Sequence, residues 1–429
     1  MSSRLRLNSP LLPLATLALA AVQIVRPGAV WEALLVALGG AWLISYLWAR
    51  SILRGLHFER LMRYGWAQVG DALEEQFLLA NRGPFPVNWV EIIDHSNLPG
   101  YQPSLATCLV PSETGTWRTR GLCTRRGIYT LGGTSLRSSD PLGIYSVEIE
   151  DPGSATLMVM PPVVPLPAIE VVPGGWLGEG RQHPNAAEKV LSASAVRPYQ
   201  PGDSLRLIHW RTTARLNEPY VRELEGAPSG AWWIVLDVDE RVQAGAGEES
   251  TTEAGVILAA SLADRGLRMR KEVGFVAAGG QAVWMRPQPG EQRRMEILRA
   301  LASLSPGAIL LSDLLARTGP SLGRQASLIV ITPSARSDWL KPLGHLAWRG
   351  IMPTVILLDA ASFGGDQSAD QLAALLAHMG IARHVVTREI LDHPEAHPRG
   401  SGQWEWRVSP MGRAIPSRLP GDMSWKRLG

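Results

Sequence analysis

The chain has 429 residues, enough for two or three domains that each bury a core. Charged residues make up 19% and the net charge is +3, so the charge balance gives no case for a nucleic-acid partner. Two cysteines, Cys108 and Cys123, fit no metal-ligand spacing and exclude a disulfide framework, which leaves two packing thiols.

The N-terminus departs from this soluble composition. The apolar runs "LLPLATLALAAVQIV" (11–25) and "AVWEALLVALGGAWLISYLWA" (29–49) are separated by Arg26-Pro27-Gly28. The second run can span a bilayer, because about 20 helical residues cover the ~30 Å hydrocarbon core, while the first is marginal alone. Together they predict a helical hairpin held in the bilayer through residues 10–49, with Gly39-Gly40 allowing the helices to approach closely. Arg4 and Arg6, the apolar stretch 11–17 and "ALA" (18–20) also fit a cleaved signal peptide. On either reading Arg50, Arg54, Arg60 and Arg63 outnumber the single arginine of the turn. That bias places the soluble domains on the cytoplasmic side of the inner membrane, with residues 1–63 as the membrane and juxtamembrane segment.

Residues 64–167 read as a small antiparallel β-sandwich. "EEQFLLANRG", "VNWVEIIDHS" and "GTWRTRGLCTRRGIYTLGG" alternate apolar and polar positions, with Trp117, Leu122, Ile128, Tyr129 and Leu131 as core candidates. "SSDPLGIYSVEI" (138–149) adds a turn and one more strand, and the proline-rich "VMPPVVPLP" (159–167) is an extended connector. From 231 to 390 buried apolar runs such as "AWWIVLDVD" and "ASLIVITPS" alternate with amphipathic helices, the first capped by Ser250 or Thr251. This alternation predicts an α/β domain with a doubly wound parallel sheet. The tail 391–429, rich in Pro, Gly, His and Arg, offers no core and reads as loose.

Between these domains, 168–230 holds a loop and then "VRPYQPGDSLRLIHWRTTARLNEPYVRELE" (196–225), with five arginines. Pro201-Gly202 suits a type II turn, Asp203 can cap a short helical turn "SLRLIHW", and Arg206 and Trp210 share one face of it. "PYVRELE" alternates as a strand. Four acids (Asp203, Glu218, Glu223, Glu225) nearly balance the arginines, so the segment reads first as a clamp, in which Arg206, a buried Trp210 and Arg215 join the sandwich side to the α/β side. A partner-contact surface is the second reading. Catalysis is the last, since His209 has no nucleophile at a recognised spacing. No glycine loop that would cradle a phosphate precedes a helix.

The pattern Tyr199-x-Pro201-Gly202-Asp203-x-x-Arg206-x-Ile208-x-Trp210-x-x-x-Ala214-Arg215, followed by "VRELE", resembles the bacterial domain of unknown function 58 family. "RRGIYTLGG…SSDPLGIY" (125–145) resembles that family's second signature, in the same order. The resemblance marks Arg197, Tyr199, Gly202, Asp203, Arg206, His209, Trp210, Arg211, Ala214, Arg215, Arg222 and Glu223 as a partner or structural motif, and Arg126, Gly127, Tyr129, Asp140, Pro141 and Gly143 as a second. It implies a membrane hairpin, a β domain and a fold similar to von Willebrand factor A domains. It also implies a MoxR-type AAA+ ATPase as partner, with a client protein, in chaperone-like or assembly work.

Von Willebrand A domains hold Mg²⁺ with D-x-S-x-S after the first strand, a threonine and a later aspartate. Here the loop reads "DVDER": Asp237 matches, Asp239 replaces the first serine, and Arg241 brings a positive charge where the cation would sit. The expectation is therefore a non-enzymatic, membrane-anchored scaffold or adaptor without cofactor. A metal-dependent ligand-binding protein or hydrolase using Asp237 and Asp239 is the alternative.

Overall fold

The structure, a computed structural model, describes residues 2–62, 65–166, 169–174, 192–199, 208–216, 218–225, 230–323, 326–390, 405–408, 414–418 and 426–427; for 192–197, 222–225, 390 and the three C-terminal pieces only the backbone is described. The chain divides into two compact units, Met1–Pro161 with His393–Gly429, and Pro162–Asp392.

The first unit opens with strand β1 (Ser2–Leu7), helix α1 (Leu11–Val25) and helix α2 (Ala29–Gly55). Among the described residues α2 is the one helix long and apolar enough to cross a membrane. α1 packs against it but is shorter, at 15 residues. Nothing lies within 4 Å of a side chain added at Gly39 or Gly40, so the expected close approach at these glycines is corrected. Residues 2–7 form a sheet strand paired with β9 (Tyr145–Met160).

Strands β2 (Leu56–Met62), β3 (Trp66–Gln68), β4 (Ala72–Asn81), β5 (Val87–Asp94), β6 (Leu105–Leu109), β7 (Thr114–Leu122) and β8 (Gly127–Ser139) complete the unit with β9. They form two antiparallel sheets, β1-β9-β8-β5-β6 and β2-β4-β7, with β3 parallel to β9. Period-two alternation points one face of each strand inward. Phe58, Phe77 and Leu79 thus meet Val90, Ile92, Leu136, Val147 and Ile149 in one core. The end of α2 enters the same core through Ala49, Ile52 and Leu56. Of the five expected core residues of 117–131 only Leu131 is fully buried; Ile128 is 52% exposed because it lies on the opposite face of β8.

In the second unit β10 (Ser192–Pro198) pairs antiparallel with β11 (Tyr220–Glu225), with helix α3 (Trp210–Leu216) between them in the chain. Strand β12 (Trp232–Leu236) and helix α4 (Thr251–Arg268) follow, the helix capped as expected by Ser250, whose Oγ accepts from Glu253 N. Next come β13 (Val273–Ala278), β14 (Ala282–Gln288), α5 (Glu291–Ala302), α6 (Leu311–Thr318), β15 (Ser327–Thr332), α7 (Leu340–Trp348), β16 (Met352–Leu358), α8 (Asp370–His378) and β17 (Ala382–Val386). The sheet order is β14-β13-β12-β15-β16-β17, parallel except for β14. Trp233, Val235, Leu328 and Val330 pack on one face against α6, α7 and α8. On the other face α4 lies so close that a side chain at Gly255 would meet Leu236, Leu358 and Ile331.

The expected loose tail is corrected where it is described. β18 (Glu405–Val408) and β19 (Ala414–Arg418) pair antiparallel, and β20 (Lys426–Arg427) adds to β2 beside Leu61 and Met62. The free edge of β2 supplies the unpaired backbone groups that such an addition needs.

Candidate functional site

Three groups of predicted residues can be placed. The first is the arginine-rich motif. An isolated bridge joins Ile208 to Val221 on β11. His209 then caps α3: its carbonyl accepts from Thr212 N (2.9 Å) and Thr213 N (3.0 Å), and its Nδ1 lies 2.6 Å from Thr212 Oγ1. Thr213 Oγ1 accepts from Tyr220 N at 3.0 Å, His209 N donates to Tyr220 O, and Tyr199 N donates to Pro219 O. The polar side of α3 is therefore stitched to the start of β11. Its other side is open: Trp210 is 70% exposed, and Arg211, Ala214, Arg215 and Leu216 are exposed too.

This corrects the clamp expectation. Neither Trp210 nor Arg215 is buried, because the helix begins at Trp210 and Thr213, not a large side chain, bonds the strand. Gly202, Asp203 and Arg206 lie outside the described residues; Arg197 is a strand position on β10, and Arg222 and Glu223 are strand positions on β11.

The second motif braces the base of the helices. Asp140, 1% exposed, accepts from Leu142 N (2.9 Å) and Tyr145 N (2.6 Å), and Gly143 takes φ +68°. That turn presents Ile144 O to Asn8 N and Ser9 N at the entry to α1, and Tyr145 Oη to Trp42 Nε1 of α2 at 2.7 Å. Pro141 is exposed on the turn. Tyr129 Oη bonds back to the carbonyls of Arg125 and Arg126, beside Gly127 at φ +154°.

The third group sits where β12 and β15 run side by side and their chains depart to opposite sides, the place at which open parallel sheets form binding crevices. Asp237 and Asp239 are 3% and 2% exposed. Thr332 Oγ1 donates to Asp237 Oδ2 (2.6 Å), and Asp239 N donates to Asp237 Oδ1 (3.1 Å). Arg241 Nε donates to Asp239 Oδ1 at 2.8 Å, and its Nη2 to Ala308 O. Gln243 Nε2 reaches the carbonyls of Asp237 and Asp239, and its Oε1 accepts from Thr251 and Thr252. Burial pushes the Asp237 carboxyl up to about 6; the bonds from Thr332 and Asp239 N oppose this, and the Asp239 carboxylate adds to it.

These residues do not fit a divalent cation. Both Asp237 oxygens already accept bonds, a guanidinium occupies Asp239, and the added positive charge would repel a metal at that distance. The sequence flagged Asp237, Asp239 and Arg241 but missed Thr251, Thr252 and Thr332, whose advance signal is a polar residue at the start of a helix or the end of a strand, and Gln243, a loop residue with no such signal.

Another set went unseen. Arg60, counted with the juxtamembrane arginines, is 2% exposed inside the first unit. It bonds Glu75 through Nε (2.8 Å) and Nη2 (2.6 Å), Asp94 through Nη1, and Ser96 Oγ at 3.0 Å. Tyr101 Oη donates to Glu75 and lies 2.6 Å from Thr119 Oγ1. The signal was available: Glu75 occupies an inward position in the alternation of β4.

The fold and these sites define a mixed α/β protein with an antiparallel two-sheet unit, an apolar N-terminal helix and a parallel-rich sheet. Within it, residues 195–362 match the family described as "Protein of unknown function DUF58". "Uncharacterized protein Rv1480" of Mycobacterium tuberculosis is 26% identical over 171 residues, 38% of this chain and 53% of that one, so the chain spans about half the length of the curated relatives it matches. Similar solved structures include an aerotolerance-related membrane protein from Bacteroides fragilis (15% identity, TM-score 0.29, 39% of this chain and 94% of that one). A von Willebrand factor type A protein from Catenulispora acidiphila also matches (9% identity, TM-score 0.26, 39% and 41%).

Proposed function

We propose that the chain is a membrane-anchored adaptor that acts through protein contacts made by α3, and that it catalyses no reaction. The observation that carries this reading is Trp210, 70% exposed and flanked by the exposed Arg211 and Arg215 on a helix with no buried residue. Tryptophan and arginine are the residue types that most often dominate interface energetics, and Thr213 of α3 fixes the helix from behind. A partner surface rich in acidic residues fits the two arginines.

The wider picture is part of the same proposal. The apolar α1 and α2 form a hairpin in the inner membrane, the soluble units face the cytoplasm, and the second unit is a doubly wound, von Willebrand A-like domain. The partner is a MoxR-type AAA+ ATPase acting on a client protein. Extraction of the full-length protein in neutral detergent, with and without ATP, followed by identification of co-purifying proteins, tests this. An AAA+ ATPase is expected with the wild type and is expected to be lost with Trp210→Ala/Arg215→Glu. Equal capture by both, or no ATPase under either condition, overturns it.

A further inference from the structure

Resting on the membrane reading above, we infer that the outer face of the β1-β9-β8 sheet carries a site for the headgroup of an anionic phospholipid, built on Arg4 and Arg6. A groove of about 640 Å³ opens on this face, lined by Arg4, Arg6, Trp89, Arg137 and Glu148 among others. Its charges are ordered along the strands. The row farthest from α1 pairs Ser2 with Glu150, and Ser2 Oγ donates to that carboxylate at 2.9 Å. The next row sets Arg4 opposite Glu148, which is already bonded to Arg137 Nε at 3.2 Å. The row nearest α1 sets Arg6 opposite Ser146, with Ser139 beyond it on β8, so no acid faces Arg6 across the sheet.

Toward α1, then, negative charge gives way to positive, and past Arg6 the surface turns apolar. Leu7 is 43% and Leu142 61% exposed. The bonds from Asn8 N and Ser9 N to Ile144 O hold the Leu142 turn against the entry to α1. Trp89, 44% exposed, stands at the same end with Nε1 donating to Ser139 Oγ. Leu11 follows Arg6 by five positions, a reach of at most about 17 Å. Acid, then arginine, then an amphipathic ring, then leucine is the order in which a surface meets the headgroup layer of an anionic bilayer. A phosphodiester between Arg4 and Arg6 meets two cations, while the neighbouring Ser146 and Ser139 hydroxyls already donate to Asn8 Oδ1 and Asp140 O.

The test uses full-length protein in neutral detergent, titrated with dihexanoyl phosphatidylglycerol, dihexanoyl phosphatidylcholine and inorganic phosphate and read by native mass spectrometry. Phosphatidylglycerol is expected to bind more tightly than the other two. Arg4→Gln/Arg6→Gln is expected to weaken it about thirty-fold, at about five-fold for each arginine near an anionic surface. Arg4→Lys/Arg6→Lys should retain most of the affinity. Both pairs are exposed, so melting should stay near wild type. A loss under three-fold in the glutamine variant, or inorganic phosphate binding as tightly as the lipid, overturns the site. Flotation of the wild type with phosphatidylcholine vesicles checks the membrane reading separately, since it needs no anionic lipid. Failure to float sinks that reading whatever the titration shows.

Discussion

Replacing Arg60 with Met tests the buried ionic set of the first unit. Arg60, Glu75 and Asp94 are 2%, 0% and 3% exposed and carry one positive charge against two negative. Burial alone pulls the guanidinium down, but the bond and charge of Glu75, and then Asp94, outweigh it and hold Arg60 above its ordinary value. Burial, with Glu75 close by, drives the Tyr101 hydroxyl far up, so it stays protonated and donates. Arg60→Met leaves two carboxylates without their cation, a loss of about 3–5 kcal/mol when one partner of a buried pair is removed. At about 2–4 °C per kcal/mol for a unit of this size, melting should fall by roughly 10 °C. Glu75→Gln keeps the Arg60–Asp94 pair and should cost only about 1–2 kcal/mol. The double variant should fall short of the sum by about 1–3 kcal/mol. Thermal unfolding of full-length protein, with hydrogen exchange followed on β2 and β4, reads all three. Arg60→Met within ~1 kcal/mol of wild type, or strict additivity, would refute the reasoning.

Two further outcomes follow from the second unit. Because the Asp237 carboxyl is raised to about 6 in the fold, its contribution to stability is full below the unfolded value near 4 and is lost as pH rises through 6, a change of about 3 kcal/mol. Asp237→Asn should flatten that part of the stability–pH curve, and an unchanged slope between pH 4 and 6 would count against the assignment. Trp210→Ala should move melting by less than about 1 kcal/mol, since an exposed side chain leaves no cavity; a loss of 3 kcal/mol or more would restore the clamp.

What the sequence disclosed, and what it hid, divides by physical range. Period-two and helical patterns placed β4, β5, β7, β12, β15 and α4, because burial on one face repeats at a fixed local spacing, whereas β6, β10 and α6 were not read. The Asp140 turn was legible because Asp-Pro-x-Gly specifies its own backbone. Arg60 was misread because its partners lie 15 and 34 residues away, and charge alone places an arginine on the surface. Trp210 was misread in the opposite sense: size and a helical face suggested burial, whereas Thr213 makes the contact with β11. Arg241 was read from one residue out of pattern, while the Thr332 bond to Asp237 spans 95 residues and leaves no local trace.

Whether the apolar helices are a loose tether or a rigid extension of the first unit turns on Gly55. This last residue of α2 passes so close to the 81–86 turn that an added Cβ would lie 2.5 Å from Gly83 N and 2.7 Å from Gly83 Cα, both backbone atoms. Arg82 N donates to Gly55 O at 2.8 Å, and Gly83 N to Asn81 Oδ1 at 3.0 Å. Two helical turns earlier in sequence, Trp48 stacks on Phe85 at 4.9 Å and donates to Pro86 O. Gly55→Ala must push this turn off the helix, an overpacking cost of about 1–3 kcal/mol. Gly39→Ala and Gly40→Ala meet nothing within 4 Å and should be neutral or stabilise the helix by about 0.5–1 kcal/mol. A flexible tether predicts the same behaviour at all three glycines; a rigid joint predicts opposite signs. Melting of the three variants in one detergent decides, and Gly55→Ala within ~0.5 kcal/mol of Gly39→Ala would overturn the rigid joint. With opposite signs, α2 is a rigid extension of the two-sheet unit, and the Arg4–Arg6 groove keeps a fixed position relative to α1 and α2.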